Sequence, residues 1–154
     1  MKKIVYFAGA IKGECIMKAV ISELIKFVRD ELGIVVLSEH VGEDDPNATL
    51  AEKIGKTKDS ITPNDIEFQD TKWLDEATHV IAEVSGASTG TGIEIGHARQ
   101  DNNKKILCIY KRDRWFLVTN MVKGMNSERW PNVLVKSYLD LNNAKTIVRE
   151  FLDS

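Results

Sequence analysis

A chain of 154 residues, 43% of them hydrophobic, is long enough to bury one sizeable core and too short for two, so we expect a single domain over residues 1–154. The net charge of −2, with scattered basic residues, argues against partners such as nucleic-acid polymers or membranes, and no apolar run approaches the roughly 20 residues that cross a bilayer. Cys15 and Cys108 lie far apart, which argues against a disulfide framework and favours a cytoplasmic protein.

The first part of the chain reads as strand, helix and strand. A continuous apolar run predicts a buried strand over residues 4–8, followed by a turn over 9–13. Apolar positions recur every three or four residues over 15–32, which predicts an amphipathic helix that Gly33 ends. A second strand is expected over 34–37.

The next part is a long connection followed by a helix and a strand. Residues 38–60 are acidic and contain glycine and proline, so we expect a long mobile loop with a short helix near 50–54. Thr62 is a predicted N-cap, and Pro63 takes the first position of a helix that continues through Leu74. The third strand is expected over 80–84.

Helices and strands continue to alternate towards the C-terminus. We expect a helix over residues 92–102, a fourth strand over 105–110 and an irregular or helical insertion over 114–123. A short fifth strand over 132–135 and an amphipathic helix over 139–152 follow.

This alternation predicts an α/β fold: a three-layer, doubly wound, parallel five-stranded sheet of the flavodoxin or Rossmann-like kind. The preferred strand order is 2-1-3-4-5. Its switch point lies between strands one and three, where ligands bind in such sheets. The loops that follow Phe7 and Val84 should therefore meet there.

A glycine- and hydroxyl-rich loop, VSGASTGTGIEIG over residues 84–96, follows the third strand. At a helix N-terminus, Ser88, Thr89 and Thr91 could hold a phosphate or a sugar hydroxyl with side chains and backbone N–H groups. Glu94 lies at or near the first turn of the next helix, where its carboxylate is favoured in the ionised form that a nucleophile needs. Ordinary turn and helix-capping chemistry also explains these residues.

Other polar residues fall near the same edge of the sheet. Asp70 shares a helix face with Glu67, and a solvated face is the usual explanation of such a pair. If Asp70 and Glu94 are brought together in a pocket, however, the two carboxylates could break a glycosidic bond. Tyr6 is either a core tyrosine or a hydrogen-bond partner for a pocket carboxylate, and His40 either contacts substrate or is structural. The histidines show no metal-ligand spacing, so we predict no metal and no cofactor.

Together these segments resemble the nucleoside 2-deoxyribosyltransferase-like superfamily, and within it the 2'-deoxynucleoside 5'-phosphate N-hydrolases. Four motifs occur in order and span most of the chain, and a weaker fifth, TNMVKG, follows at 119–124. They are VYFAGAIKG at 5–13, LSEHV at 37–41, QDTKWL at 69–74, and IAEVS at 81–85 running into STGTGIEIG at 88–96.

The resemblance implies a role for each of these residues. Glu94 would attack the anomeric carbon and form a covalent glycosyl-enzyme, Asp70 would transfer protons, and Tyr6 would hold Glu94 and the sugar. Thr119 of a neighbouring subunit would complete the phosphate site, which implies a homodimer acting on a small nucleotide or nucleoside. The remaining candidate binding residues are Gly9, Ala10, Ile11, Lys12, Gly13, His40, Ser88, Gly90 and Gly92.

Three functional alternatives stay open. A deoxyribosyltransferase would pass the sugar to a second base instead of water, and a non-catalytic nucleotide-binding module would keep only the pocket. The Gly90-Thr91-Gly92 segment also resembles part of the signature of the cytokinin-activating phosphoribohydrolases, so ribose and deoxyribose both remain possible. Ala10 and Lys12 stand where the hydrolases usually have serine and arginine, which weakens the expectation of phosphate specificity.

Overall fold

The protein is built on a parallel five-stranded sheet in the order β2-β1-β3-β4-β5, in a computed structural model that describes residues 1–10 and 17–154. The predicted α/β class and strand order are confirmed. Strands buried on both faces have continuous apolar sequences, and β1 and the central residues of β3 are of this kind. The strands are β1 Ile4–Ala8, β2 Val35–Val36, β3 His79–Glu83, β4 Lys105–Lys111 and β5 Val133–Tyr138.

Helices cover both faces of this sheet. No helix in the described part of the chain is long and apolar enough to cross a membrane. The α-helices are α1 Lys18–Lys26, which a π-helical segment Phe27–Glu31 extends, α2 Pro46–Lys53, α3 Pro63–Glu76, α4 Thr89–Ala98, α5 Asn120–Lys123 and α6 Leu141–Asp153. Short 3-10 helices occupy Glu39–Gly42, Lys58–Ser60 and Arg112–Leu117.

The core has two halves, one on each face of the sheet. Helices α1 and α6 bury Leu24 and Val148 on one face, while α3 and α4 bury Leu74 and Ile95 on the other. Successive residues of a strand point to opposite faces, so Phe7 enters the first half and Tyr6 the second. This alternation directs the Tyr6 side chain towards α3 and α4.

The connection over residues 38–60 is more ordered than predicted. It contains α2 and two 3-10 helices, and α2 begins at Pro46 rather than near residue 50. Asp45 caps this helix by accepting a hydrogen bond of 3.1 Å from the Ala48 backbone N–H, and Pro46 takes the first helical position. Leu50 and Ala51 are each only 1% exposed, so buried apolar contacts hold α2 in place.

Other predicted boundaries shift by a few residues. Gly33, with φ of +66°, ends the first helix as expected; residues 15 and 16 of that predicted helix lie outside the described residues. Helix α4 begins at Thr89 instead of residue 92 and ends at Ala98 instead of 102. Strand β5 is longer than predicted, and the segment expected to be irregular or helical over 114–123 contains a 3-10 helix and α5.

Candidate functional site

The candidate site is a cavity of about 540 Å³ at the carboxyl ends of the adjacent strands β1 and β3. This is the predicted switch point of the sheet, and the volume is in the range of small-molecule sites. A depression of about 550 Å³ on the outer face of α3 is lined by side chains of that single helix and gathers no groups from other elements. The cavity is lined by Gly9, Asn47, Ile66, Asp70, Ala87, Ser88, Thr89, Gly90, Thr91 and Glu94.

Glu94 reaches the cavity from α4 and accepts a hydrogen bond of 3.1 Å from the Tyr6 hydroxyl at Oε1. Because Ser88 caps α4, Glu94 is the sixth residue of the helix and not part of its first turn. The expectation of a readily ionised carboxylate is therefore wrong. Burial, and then the charge of Asp70, raise the pKa of Glu94 to about 8, although the Tyr6 hydrogen bond acts in the opposite direction.

Tyr6 is fully buried beneath the cavity. Burial, and then the charges of Glu94 and Asp70, raise the pKa of its hydroxyl well above the ordinary value. The hydroxyl therefore stays protonated and remains a hydrogen-bond donor to Glu94 Oε1. This arrangement leaves Glu94 Oε2 available to a ligand.

Asp70 faces Glu94 from α3. Burial raises the pKa of Asp70 to about 6, and its Oδ1 atom has no hydrogen-bond partner among the described residues. Because Asp70 in turn raises the pKa of Glu94, the two carboxyl groups titrate as a pair. Near neutral pH the pair holds a single proton, and the higher pKa of Glu94 places it on that residue. Glu94 can attack a substrate only after this proton has passed to Asp70, which can then protonate a leaving group.

His40 lies behind Asp70, outside the cavity wall. It is 1% exposed, and its Nε2 atom lies 3.4 Å from Asp70 Oδ1 without forming a hydrogen bond. Burial, and then the charge of Lys53, lower the pKa of His40 to about 4, so the ring is neutral at pH 7 and makes no ion pair with Asp70. The ring packs against Trp73, with their centroids 5.6 Å apart. His40, predicted to contact substrate, therefore contributes to the surroundings of Asp70.

The part of the cavity that the glycine loop and the start of α4 form is suited to an anion. Ser88 caps α4, because its Oγ accepts a hydrogen bond of 3.2 Å from the Thr91 N–H, and the first N–H groups of a helix lack intrahelical partners. Thr91 is buried, and its Oγ1 has no partner among the described residues. A side chain at Gly90 would meet no protein atom within 4 Å, so glycine there leaves room for a ligand to approach the backbone.

The remaining predicted binding residues are not all brought together. Ala10 is buried but does not line this cavity, and Ile11, Lys12 and Gly13 lie outside the described residues. Gly92 and Thr119 line a second cavity of about 270 Å³ on the other side of the glycine loop. Thr119 is therefore separated from the Glu94 cavity of its own chain.

A buried polar network that the sequence interpretation missed fixes the start of the glycine loop. Glu83, at the end of β3, accepts hydrogen bonds from the Ser85 N–H at 2.5 Å and from the Tyr138 hydroxyl of β5. Ser85 Oγ in turn accepts a bond of 2.8 Å from the Lys111 N–H at the end of β4. Burial raises the pKa of Glu83. The network joins three strand ends; its sequence signal is an acidic residue that ends an otherwise apolar run.

The sequence interpretation also missed two residues of the cavity wall, Asn47 and Ile66. The Asp45-Pro46 pair is a recognisable start signal for the helix that carries Asn47. Ile66 precedes Asp70 by four residues, so the two share one face of α3.

The raised pKa of Glu94 predicts that Glu94→Gln stabilises the protein at alkaline pH. The unfolded chain releases this proton near the ordinary pKa of 4.5, whereas the folded protein holds it up to about pH 8. Between these values the folded state binds more protons, so its stability falls as the pH rises. Glutamine has no proton to lose. In urea unfolding, we expect the variant to gain roughly 2–4 kcal/mol at pH 8 and much less at pH 4; a gain that is independent of pH would contradict the assigned burial of this charge.

The comparisons with known proteins point to one group. No protein-family model matches the chain. A Nematostella vectensis protein named as a 2'-deoxynucleoside 5'-phosphate N-hydrolase is 32% identical over 138 residues, covering 87% of this chain and 84% of that protein. The 5-hydroxymethyl-dUMP N-hydrolase of Tetraodon nigroviridis is 30% identical over 129 residues, covering 80% of each chain.

A solved structure agrees on the fold. The CMP N-glycosidase of Clostridium botulinum superposes with a TM-score of 0.67 over 97% of this chain and 99% of its own, at 23% sequence identity. The structure shows a shared fold, and the two sequence relatives show in addition a shared family. The chain therefore belongs to a family of N-glycosyl hydrolase enzymes, the nucleotide N-hydrolases that include 2'-deoxynucleoside 5'-phosphate N-hydrolase and 5-hydroxymethyl-dUMP N-hydrolase.

Proposed function

We propose that this protein hydrolyses the bond between base and sugar in a nucleoside 5'-monophosphate, with 2'-deoxyribose as the preferred sugar, through a covalent intermediate on Glu94. The observation that carries the proposal is one cavity with two functions. Two interacting carboxyl groups, Glu94 and Asp70, line it together with the capped N-terminus of α4. The carboxyl pair can cleave a glycosidic bond, and the N-terminus of α4 can bind the phosphate.

The phosphate would be held by Ser88 and the first N–H groups of α4, with Gly9 in the same cavity wall. In this proposed binding mode, the anomeric carbon would lie near Glu94 and the base near Asp70. The substrate is therefore oriented by its charged end before bond cleavage begins.

In the first step, the one proton that Glu94 and Asp70 hold between them passes to Asp70, and the ionised Glu94 Oε2 attacks the anomeric carbon. The bond from that carbon to the base nitrogen breaks, its electron pair stays with the base, and Asp70 donates the proton that neutralises the base. The Tyr6 hydroxyl holds Oε1, which orients the nucleophile and favours its ionised form.

In the second step, the Asp70 carboxylate accepts a proton from water. The water oxygen forms a bond to the anomeric carbon, and the bond to Glu94 breaks. Two displacements return the original configuration at that carbon, so the proposed reaction is a retaining hydrolysis.

A substrate panel tests this function. Purified protein is incubated with ribonucleosides, 2'-deoxynucleosides and their 5'-monophosphates, and free base is measured by chromatography. We expect base and sugar phosphate from the deoxynucleoside monophosphates. A new nucleoside formed after addition of a second free base would instead support base transfer, and binding without base release would support a non-catalytic nucleotide-binding module.

We also propose a cytoplasmic homodimer in which Thr119 completes the phosphate site of the neighbouring subunit. The support is that Thr119 is exposed on the far side of the glycine loop, next to the exposed apolar residues Leu117 and Met121. Large exposed apolar side chains grouped on one surface are typical of an interface.

Mixing two inactive variants tests this arrangement. Thr119→Glu should repel the phosphate from the neighbouring site, and Glu94→Gln removes the nucleophile from its own. After joint refolding, we expect about a quarter of the wild-type sites to be active, since half of the dimers are mixed and each has one intact site. No recovery in a verified mixed dimer would show that Thr119 acts within its own chain.

A further inference from the structure

We propose that Asn47 hydrogen-bonds the edge of the nucleobase and so determines which bases this protein accepts. The inference rests on the function proposed above, which places the base beside Asp70. Asp70 shares the wall of the cavity with Ile66, one turn earlier on α3, and with Asn47 from α2. The other lining residues are Gly9 and residues of the glycine loop and of α4.

Asn47 is the hydrogen-bonding side chain of this wall that the reaction and the anion site leave unused. Asp70 and Glu94 carry the chemistry, and the hydroxyls of Ser88, Thr89 and Thr91 lie on the loop and the first turn of α4. The Asn47 side chain is partly exposed and has no hydrogen-bond partner among the described residues. Its amide is therefore available to a ligand.

The backbone that carries Asn47 is firmly held. Asp45 caps α2 and also pairs with the Lys58 ammonium group, while the buried residues Leu50 and Ala51 anchor the helix from its other side. A fixed backbone presents the amide at a defined place in the cavity. This is the arrangement expected for selective recognition, in contrast to a surface side chain that adapts to any ligand.

The chemistry of an amide matches the edge of a base. Asparagine offers a carbonyl acceptor and an NH₂ donor in one plane, so it can pair with two neighbouring edge atoms, as in its bidentate contact with adenine. Ile66 would pack against the flat face of the same base. A carboxylate at position 47 would only accept hydrogen bonds, so it would favour bases with an exocyclic amino group over those with a carbonyl at that edge.

The test measures nucleotide binding on the Glu94→Gln protein, so that no turnover interferes. Calorimetry compares dAMP, dCMP, dUMP and dTMP with 2-deoxyribose 5-phosphate, which lacks a base. We expect Asn47→Ala to reduce the affinity for the preferred nucleotide roughly tenfold or more and to leave the affinity for the sugar phosphate unchanged. Asn47→Asp should weaken dUMP and dTMP roughly tenfold relative to dAMP and dCMP.

The chain provides a matched control in Asn64. It occupies the same position of α3 as Asn47 does of α2, directly after the proline that begins the helix, but it is exposed and outside the cavity. Asn64→Ala should leave all affinities unchanged. The role of Asn47 would be overturned, while the proposed function stands, if Asn47→Ala reduced the affinity for every nucleotide equally or if Asn47→Asp left the ratios of the affinities unchanged. Failure of every nucleotide to bind the Glu94→Gln protein would overturn both.

Discussion

Glu94→Gln is expected to abolish base release while the nucleotide still binds. The amide keeps the shape of the side chain and can still accept the hydrogen bond from Tyr6, but it cannot attack the anomeric carbon as a carboxylate does. Loss of a nucleophile typically costs about 10⁴-fold or more in rate. The measurements are free base by chromatography and nucleotide affinity by calorimetry.

Glu67 offers a control with a similar local contact. Its carboxylate accepts a hydroxyl hydrogen bond of 3.1 Å from Thr71, the same length as the bond between Tyr6 and Glu94, but it lies on the exposed surface of α3. Glu67→Gln should retain wild-type activity. If Glu94→Gln released base at the wild-type rate, Glu94 could not be the nucleophile.

The stability prediction separates loss of chemistry from loss of folding. Because burial raises the pKa of Glu94, the glutamine variant should be more stable than the parent at pH 8. An inactive variant with increased stability cannot owe its inactivity to unfolding. Such a result would identify Glu94 as a residue whose charge reduces stability in the service of activity.

The sequence was sufficient to predict how the main site residues come together. Strands buried on both faces and amphipathic helices predict a doubly wound sheet, and its switch point brings the ends of β1 and β3 to one edge. Tyr6 and Glu94 follow from that topology and are in contact in the structure. Asp70 lines the same cavity, on the helix that the Thr62-Pro63 start signal predicts.

The protonation of the site and some helix boundaries could not be predicted in the same way. The sequence T-G-T-G has low helix propensity, so its place in α4 depends on the Ser88 cap and on tertiary packing. Moving the helix start to Thr89 removes Glu94 from the first turn. Its pKa then depends on burial and on Asp70, and neither effect can be read from local sequence.

Asp70→Asn is expected to reduce hydrolysis of ordinary nucleotides by about 10²–10⁴-fold, because the amide cannot protonate the departing base. In the first turnover, the loss of rate should be much smaller for an N7-methylated purine nucleotide, because its positively charged base leaves without a proton. The second step still lacks the general base that accepts a proton from water, so the glycosyl-enzyme should accumulate after an initial burst of base release. Rapid-quench kinetics and intact-protein mass spectrometry measure the burst and the adduct, and added azide should restore turnover.

The same variant should also move the pH dependence of that burst. The charge of Asp70 helps to raise the pKa of Glu94 to about 8. Its removal should therefore move the midpoint at which the burst is lost on acidification to below about pH 8, while burial of Glu94 keeps that midpoint above 4.5. Asp75→Asn is a suitable control, since Asp75 lies on the same helix but is exposed and contacts His97. Equal losses for the ordinary and methylated substrates would mean that Asp70 serves in binding or folding. A loss confined to substrates with a poor leaving group requires that Asp70 delivers the proton.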